Sequence, residues 1–413
     1  MQIGAVADDL TGATDLCLML ARSGLSVVQV MGIPATVPQA DAVVIALKSR
    51  TIPAAQAVAQ SVAAAKALLQ AGAGQILFKY CSTFDSTDQG NIGPVTEALL
   101  ALTGCDLTIA CPAYPANHRT VYKGHLFVGD QLLSDSPMRD HPLTPMRDAN
   151  LVRVLQRQTT LPVGLVQAAT IAAGPAAVQT AFAAARAQGQ RVLITDTLSD
   201  ADLMTLGAAC QGMALVTGGS GIALGLAANF PQTHREPAAT MAAPTGRAVV
   251  LAGSCSAATR GQIATAQAAG MPSLLLDARA LAAGQQTPAE IAAWVIALPD
   301  TALVYSSADP DQLARIHATL GRAASGTLIE HALAETARLL AAQGFTRFLI
   351  AGGETSGAVV TALGVTQLSI GPEIAPGVPW TRATTGPDLA LALKSGNFGG
   401  PDFFLSAWSL LDK

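Results

Sequence analysis

The chain has 413 residues, of which 50% are hydrophobic and 13% charged, and its formal net charge is −4. This length exceeds what one hydrophobic core usually supports, so the chain is expected to form two domains. No cluster of Lys and Arg is present, which argues against nucleic-acid binding, and no apolar stretch is long enough to predict a membrane span. The six cysteines are scattered without Cys-x-x-Cys spacing, and no basic segment precedes the first apolar run. These features predict a cytoplasmic protein without a zinc site.

The first fifteen residues predict a strand that ends in two carboxylates. Residues 3–7 form a short apolar run, and the apolar spacing that follows predicts a helix beginning near Thr11 or Gly12. Asp8 and Asp9 fall at the carboxyl end of the strand, where ligands bind in open α/β sheets. Two interpretations are open for this stretch alone: a polar site, or one Asp capping the helix while the other is solvated.

The rest of the first domain alternates short apolar strands with helices. Such alternation predicts a parallel sheet with right-handed crossovers. The polar loops at 8–15, 48–51 and 81–93 are therefore expected to meet at one edge of that sheet. Further strands are predicted at 26–31, 42–47, 75–80, 107–111, 162–167, 191–196 and 214–217, with a helix over 53–71 and a β-hairpin over 121–133.

The loop at 81–93 is dense in hydroxyl and carboxylate side chains. It contains Asp85, Ser86 and Thr87, follows Lys79, and leads into a helix predicted from about Ile92. A long N-capping loop is the simpler interpretation of such a cluster. The preceding lysine and a length beyond what a cap requires favour a polar site instead.

A second polar group follows at His118, Arg119, Lys123 and His125, the densest such group in this half of the chain. A single histidine is more often structural than catalytic. We therefore assign these residues to structure or to the lining of a substrate pocket.

A linker and a second alternating domain follow. Residues 231–246 carry three prolines and no periodicity, so we predict a first domain at 1–230 and a second at 247–413. Loops rich in Gly, Ser and Thr lie between a strand and a helix at 253–256, 352–357 and 395–400. Strands are predicted at 248–252, 273–276, 302–306, 345–351 and 388–393, and a helix at 358–363.

These three loops suit phosphate, because a glycine loop leading into a helix offers unpaired backbone N–H groups and the positive end of the helix dipole. None fits the P-loop or the dinucleotide-binding pattern. Glu354 is the acidic residue expected to lie near the Mg²⁺ that accompanies ATP. No residue is assigned as a direct ligand of the metal. Lys394 is a candidate cation near the phosphate, or otherwise a lysine at a strand edge.

One domain thus carries hydroxyl and carboxylate loops, and the other carries loops suited to phosphate. Phosphoryl transfer needs positioning, charge neutralisation and a carboxylate near the acceptor hydroxyl. The division predicts transfer of a phosphoryl group from ATP to a small hydroxylated acid. We expect an α/β fold of two domains, each built on a mainly parallel sheet with flanking helices, with the active site in the inter-domain cleft.

The chain resembles the four-carbon acid sugar kinase family. Four motifs carry the resemblance: Ala-Asp-Asp-Leu-Thr-Gly-Ala at 7–13, Asp-Ser-Thr at 85–87 with Gly-Asn at 90–91, Gly-Gly-Glu-Thr-Ser-Gly at 352–357, and Lys-Ser-Gly-Asn-Phe-Gly at 394–399. They occur in the family's order and span the chain. Within the family, segments 79–87 and 120–129 look most like the 3-oxo-tetronate 4-kinase branch. Threonate and erythronate kinases typically have an Arg before the Gly-Asn pair, where this chain has Gln89.

The resemblance implies an ATP- and Mg²⁺-dependent kinase that phosphorylates the terminal hydroxyl of a four-carbon 3-oxo sugar acid. The implied sugar-acid residues are Asp8, Asp9, Arg50, Lys79, Asp85, Ser86, Thr87 and His125, with Arg50 best suited to the carboxylate. The implied ATP residues are Ser254, Gly353, Glu354, Thr355, Ser356 and Gly396. Asp9 is favoured as the base for the acceptor hydroxyl, with Asp8 and Asp85 as rivals.

Two alternatives stay open. The chain could act on D-threonate or D-erythronate with the same fold, or it could be a non-catalytic sensor of sugar acid and nucleotide. No nucleic-acid or membrane partner is expected. A homodimer is expected only by analogy with proteins of this general class. The preference between L-threo and D-erythro oxo acids is open.

Overall fold

The structure, a computed structural model, describes residues 1–141, 143–231, 241–306, 318 and 321–411. The chain divides into two compact units, Met1–Pro237 and Ala238–Lys413. The boundary falls within the predicted linker at 231–246, of which residues 232–240 lie outside the described residues. Each unit is an α/β unit with a mainly parallel sheet and flanking helices, as the sequence predicts.

The main sheet of the first unit is parallel throughout its described strands. The strands of this unit are β1 (Ile3–Ala7), β2 (Val27–Met31), β3 (Ala42–Ala46), β4 (Gln75–Lys79), β5 (Thr108–Cys111), β6 (Arg119–Tyr122), β7 (His125–Val128), β8 (Gln131–Leu132), β9 (Val163–Val166), β10 (Val192–Thr195) and β11 (Leu215–Gly218). The spatial order in the main sheet is β2, β3, β1, β4, β11, β5, β10, β9. Every residue of β1, β3 and β4 is buried, because helices cover both faces.

Helices of the first unit span Leu10–Arg22, Ala54–Gln70, Ile92–Thr103, Leu151–Gln156, Ala168–Ala172, Pro175–Ala187, Asp200–Ala209 and Ile222–Ala227. The first helix starts earlier than predicted: Asp9 is its N-cap residue, rather than Thr11 or Gly12. The predicted hairpin at 121–133 also differs, since β6, β7 and β8 form a separate antiparallel sheet of three strands. Its first strand begins at Arg119.

The sheet of the second unit is parallel on one side and antiparallel on the other. Its strands are β12 (Arg247–Ala252), β13 (Ser273–Leu275), β14 (Ala302–Tyr305), β15 (Phe345–Ala351), β16 (Gln367–Ala375), β17 (Val378–Ala383) and β18 (Ala390–Lys394). The order is β13, β14, β12, β15, β18, β17, β16, in which β17 pairs antiparallel with both neighbours. The sequence did not predict β16 and β17.

Helices of the second unit span Ala257–Ala268, Ala278–Ala282, Pro288–Ala297, Arg322–Ala341, Gly353–Ala362 and Phe403–Ser406. The prediction of a loop at 352–357 followed by a helix at 358–363 is wrong, because the helix begins at Gly353. Trp380 lies in the core, where its indole Nε1 donates to the carbonyl of Ala407 at 2.9 Å. This contact ties β17 to the C-terminal segment.

Two further features of the structure concern membrane-spanning helices and disulfide bonds. Within the described ranges, no helix has both the length and the apolar character needed to cross a membrane. All six cysteines are free thiols.

Candidate functional site

Three polar segments of the first unit lie at the carboxyl ends of adjacent parallel strands. β3, β1 and β4 are neighbours in that order, and they lead into segments 48–51, 8–9 and 80–87. Backbone bonds connect the segments: Ser49 N–H donates to the carbonyl of Asp8 at 2.9 Å, and Asp8 N–H donates to the carbonyl of Lys79 at 3.0 Å. The predicted convergence of these loops at one sheet edge is confirmed.

Arg50 joins carboxylates that come from two of these loops. Its Nε and Nη2 donate to the two oxygens of Asp8 at 2.9 and 2.7 Å, and Nη2 also donates to Oδ1 of Asp9 at 2.5 Å. Nη1 lies 3.8 Å from Oδ2 of Asp85, in ion-pair range but beyond hydrogen-bond distance. A bidentate pair fixes the plane of the guanidinium. One arginine therefore gathers three carboxylates, and we call these four residues the Arg50 cluster.

The two adjacent carboxyl groups differ in pKa. Burial raises the pKa of Asp8, and the nearby Arg50 offsets only part of this increase. Burial also acts on Asp9, but the positive charges of Arg50 and Lys79 and a hydrogen bond from Thr11 outweigh it and lower the pKa of Asp9. The Asp9 side chain is 20% exposed, whereas that of Asp8 is 8% exposed. Asp9 is thus the more accessible and the more readily ionised of the pair.

Lys79 lies close to Asp9 across a glycine. The Lys79 side chain is buried, and its Nζ donates to the carbonyl of Tyr80 at 2.8 Å. A Cβ atom added at Gly12 would lie 2.8 Å from this Nζ and would overlap the carboxylate of Asp9. Glycine at this position therefore leaves the space that the lysine and the carboxylate occupy.

The backbone that carries Asp85 is strained. Phe84 and Asp85 have φ values of 66° and 46°, in the left-handed region that residues with a Cβ rarely adopt. Thr83 Oγ1 donates to Oδ1 of Asp85 at 2.7 Å, and the ring of Phe84 is buried against Tyr80. These contacts hold the strained turn and direct the Asp85 carboxylate toward Arg50. Strain of this kind is characteristic of functional sites.

Ser86 is held by a residue that the sequence did not single out. Its Oγ donates to Oε1 of Gln158 at 3.1 Å, and Nε2 of Gln158 lies 3.3 Å from the carbonyl of Ser86. Gln158 Oε1 also accepts from the N–H of Gly93. Gln158 is more than sixty positions away in the chain, so only tertiary structure reveals this contact.

Asn91 fixes the loop that carries Arg50. Its Nδ2, which carries two hydrogens, lies 2.7, 3.1 and 3.0 Å from the carbonyl oxygens of Ser49, Arg50 and Ile52. The Gly-Asn pair belongs to one of the sequence motifs, but the motif alone does not indicate this role.

A small cavity adjoins the site. It is lined by Asp8, Ser49, Arg50, Phe78, Asp85, Ser86, Asn91, Ile92 and Val95.

The contacts that the structure gives for Thr87 and His125 are with residues outside the Arg50 cluster. Thr87 is partly exposed, and its carbonyl accepts the N–H of Gly90 at 2.7 Å. His125 lies on β7, where Nδ1 is 2.9 Å from the carbonyl of Lys123 and Nε2 is 3.4 Å from Nδ2 of Asn150. These contacts tie His125 to the three-stranded sheet rather than to the three carboxylates.

The predicted glycine loops of the second unit also follow adjacent strands. β12, β15 and β18 are neighbours, and segments 253–256, 352–357 and 395–400 begin at their carboxyl ends. A Cβ added at Gly253 would overlap Oγ1 of Thr355, and one at Gly396 would overlap Oγ of Ser254. The structure therefore brings Ser254, Thr355 and Gly396 together.

The helix Gly353–Ala362 starts inside this group. Gly352 precedes it with φ 127°, and Gly353, Glu354 and Thr355 form its first turn, whose N–H groups have no partner within the helix. Such a helix start suits phosphate. Ser356 is buried, and its Oγ has no hydrogen-bond partner among the described residues.

Glu354 is the carboxylate of this group and is partly exposed. Mg²⁺ bound to a nucleotide takes most of its ligands from phosphate and water and needs only one or two carboxylates. A single glutamate at the helix start fits that requirement. In the part of the chain described here, no cluster of three or more His, Cys, Asp or Glu could form a protein-only metal site.

Comparison with known proteins identifies the family. Residues 3–226 match the model of a sugar-binding N-terminal domain, and residues 249–404 match that of a nucleotide-binding C-terminal domain. A 3-oxo-tetronate kinase of Cupriavidus necator is 54% identical over 411 residues, which cover 97% of this chain and 95% of that relative. The chain belongs to the 3-oxo-tetronate kinase family.

Other members support the same assignment. A 3-oxo-tetronate kinase of Burkholderia multivorans is 54% identical and covers 99% of this chain and 97% of its own length. A solved structure from Haemophilus influenzae is 42% identical with a TM-score of 0.77, and it covers 99% of this chain and all of its own. The sequence-based prediction of a kinase of this family is confirmed. The sugar-binding model includes the Arg50 cluster, and the nucleotide-binding model includes the glycine-rich segments 253–256, 352–357 and 395–400.

Proposed function

We propose that this protein transfers the γ-phosphoryl group of ATP to the 4-hydroxyl of a four-carbon 3-oxo sugar acid. The observation that carries the proposal is the Arg50 cluster, a polar site within the segment that matches a sugar-binding domain. Full-length relatives named 3-oxo-tetronate kinase support the substrate class. Because ATP is a cytoplasmic metabolite, the proposed reaction belongs in the cytoplasm.

Asp9 is the proposed base that receives the proton of the acceptor hydroxyl. Its lowered pKa keeps it ionised at neutral pH, and its side chain is more exposed than those of Asp8 and Asp85. A strong base is not required, since phosphoryl transfer depends mainly on position and charge. An ionised carboxylate that accepts a hydrogen bond from the hydroxyl is sufficient to orient it.

The other members of the site position the sugar acid. Arg50 directs Nη1 away from its hydrogen bonds with Asp8 and Asp9, and this nitrogen is the proposed donor to the substrate carboxylate. Asp8 holds Arg50 in its plane, and Asp85 accepts from a substrate hydroxyl. Further proposed contacts are Lys79, Ser86, Thr87 and, from the three-stranded sheet, His125.

The glycine-rich segments 253–256, 352–357 and 395–400 bind the nucleotide in this proposal. The N–H groups of Gly353, Glu354 and Thr355 face the phosphates, with Ser254, Ser356 and Gly396 completing the contacts. Glu354 would hold the Mg²⁺ that accompanies ATP, and this ion would neutralise phosphate charge. These assignments rest on donor chemistry and on the family model for residues 249–404.

A coupled assay of ATP consumption tests the proposal. The L-threo and D-erythro 3-oxo acids are compared with D-threonate and D-erythronate. We expect turnover with at least one 3-oxo acid, at a kcat/KM at least tenfold above that for threonate and erythronate. Higher activity on threonate or erythronate would show that these acids, rather than the 3-oxo acids, are the substrates. No turnover with any of the four acids would favour a non-catalytic sensor.

A further inference from the structure

Lys394 is buried at the end of β18 and all of its ammonium hydrogens have acceptors. Its side chain is among the largest that are fully buried. Nζ donates to Oγ1 of Thr259 at 3.1 Å and to the carbonyls of Ser395 and Gly396 at 3.0 and 2.9 Å. An ammonium group has three donors. Lys394, which the sequence suggests as a cation near the phosphate or as a lysine at a strand edge, is therefore directed at protein oxygens.

Other side chains hold the same loop, residues 395–400, by its carbonyl groups. The carbonyl of Gly396 also accepts from Oγ of Ser256 at 2.6 Å and from Oγ1 of Thr259 at 2.9 Å. Nε2 of Gln262 lies 3.0 Å from each of three further carbonyl oxygens, those of Phe398, Gly399 and Gly400. The donors come from Ser256, the N-cap residue of the helix Ala257–Ala268, and from the helix itself. The loop thus presents a row of carbonyls to one side.

The direction of these carbonyls determines the direction of the N–H groups. In a planar trans peptide, the C=O of one residue and the N–H of the next point in opposite directions. Because the carbonyls of Ser395 and Gly396 point toward Lys394, the N–H groups of Gly396 and Asn397 point away from it. Successive N–H groups on one side of a loop form an anion-binding concavity.

We propose that Lys394 is a positioning residue that orients the N–H groups of loop 395–400 toward the phosphates of the nucleotide. It acts through the loop and does not touch the ligand. Thr259 assists, because its hydroxyl accepts from Lys394 and donates to Gly396. The inference rests on the proposed function, in which Gly396 contacts a nucleotide, and it adds a role for the buried lysine beneath it.

The test is the affinity for ADP, measured by calorimetry with the full-length protein in the absence of sugar acid. Lys394→Met removes all three donors, and we expect the Kd for ADP to rise about 10- to 100-fold, the range for hydrogen bonds to a charged group. In turnover assays the KM for ATP rises by a similar factor, while the KM for the sugar acid stays within twofold.

Thr259→Val is the second variant, because it keeps the side-chain shape and removes the hydroxyl shared by Lys394 and Gly396. We expect its Kd for ADP to rise roughly 5-fold, in line with loss of neutral hydrogen bonds. Thr265→Val, on the same helix with a hydroxyl bound to its own helix at Gly261, is the matched control and leaves the Kd unchanged.

Two outcomes distinguish failure of this inference from failure of the proposed function. If the unmodified protein binds no ADP, the proposed function itself fails. If it binds ADP and both folded variants bind it equally well, the positioning role of Lys394 is overturned. Should Lys394→Met not fold, an unchanged ADP affinity of Thr259→Val alone would still overturn it.

Discussion

Asp8 and Asp9 are neighbours in the chain, yet their carboxyl groups meet different surroundings. Asp8 is paired through both oxygens with Arg50, and burial raises its pKa. Asp9 is reached by Arg50, Lys79 and Thr11, which together lower its pKa. Adjacent carboxylates with pKa values moved in opposite directions commonly have different roles. This difference supports the proposal that Asp8 positions charge and that Asp9 contacts the reacting hydroxyl.

Asp9→Asn is predicted to lower kcat on the order of 100-fold or more, because the amide cannot accept the proton of the hydroxyl. The Kd for ADP should stay within twofold, since the substitution lies in the sugar-binding segment. Steady-state kinetics and calorimetry measure the two effects. Asp106→Asn is the control, as Asp106 is exposed in a surface pair with Arg186. Full activity in Asp9→Asn, with loss in Asp85→Asn, would transfer the role to Asp85.

Arg50→Met is predicted to destabilise the protein by about 3–5 kcal/mol, because three carboxylates lose the cation that gathers them. Urea denaturation measures the change in the free energy of unfolding. Adding Asp8→Asn to Arg50→Met should recover part of the loss by removing one uncompensated charge. Arg186→Met, at an exposed ion pair, should cost less than about 1 kcal/mol. Equal costs for both arginines would contradict the account.

Among the elements, the strands that position both sites were predictable, whereas the helix starts at Leu10 and Gly353 were not. β1 and β3 are unbroken apolar runs, and β4, β12 and β15 each contain an apolar run, at 76–78, 248–252 and 348–351. Runs of this kind can be recognised in a single sequence. The helix start at Gly353 was missed because Gly, Thr and Ser have low helix propensity, and tertiary contacts override it.

β16 and β17 were missed for a related reason. Each contains a proline, Pro372 and Pro379, and proline inside an apolar run argues against a strand. The structure accommodates Pro372 at an irregularity, since the β16–β17 register shifts between Ile370 and Glu373.

In the candidate site of the first unit, the contacts of Asn91 and Gln158 could not be predicted from the sequence, because their partners come from distant parts of the chain.

Asn91→Ala is predicted to destabilise the protein by about 2 kcal/mol, because the buried carbonyl of Ser49 and the partly buried carbonyls of Arg50 and Ile52 lose their donor. It should also raise the KM for the sugar acid, as Arg50 is no longer held in place. Denaturant unfolding and steady-state kinetics check both effects. Asn229→Ala is the matched control, since Asn229 Nδ2 donates to the carbonyl of Gly207, away from the Arg50 loop. A KM change in the control as large as in Asn91→Ala would contradict the prediction.

The start of helix Leu151–Gln156 predicts a pH effect on stability. Hydrogen bonds from Arg153 lower the pKa of Asp148 to about 2, against an ordinary value of 3.8. A lowered pKa contributes stability that is present above the ordinary value and is lost as pH falls toward 2. Asp148→Asn should therefore be less stable than the unmodified protein at pH 6, with a gap that closes as pH falls from 4 to 2. A gap that is constant with pH would contradict this assignment.

At the scale of the whole molecule, each unit carries one half of the proposed chemistry. Residues 3–226 match a sugar-binding domain and include the carboxylates, whereas residues 249–404 match a nucleotide-binding domain and include the glycine loops. The sequence indicated this division through the chemistry of its loops. The position of the active site in an inter-domain cleft and the homodimer stay predictions.

The position of the new phosphate tests the central claim most directly. The protein, MgATP and a ¹³C-labelled four-carbon 3-oxo acid are incubated, and the product is examined by ³¹P and ¹³C NMR. We predict a phosphomonoester whose phosphorus couples to the C4 methylene carbon, with ADP formed in equal amount. Coupling to C2, or no phosphorylated product from either 3-oxo acid, would contradict the proposed 4-kinase activity.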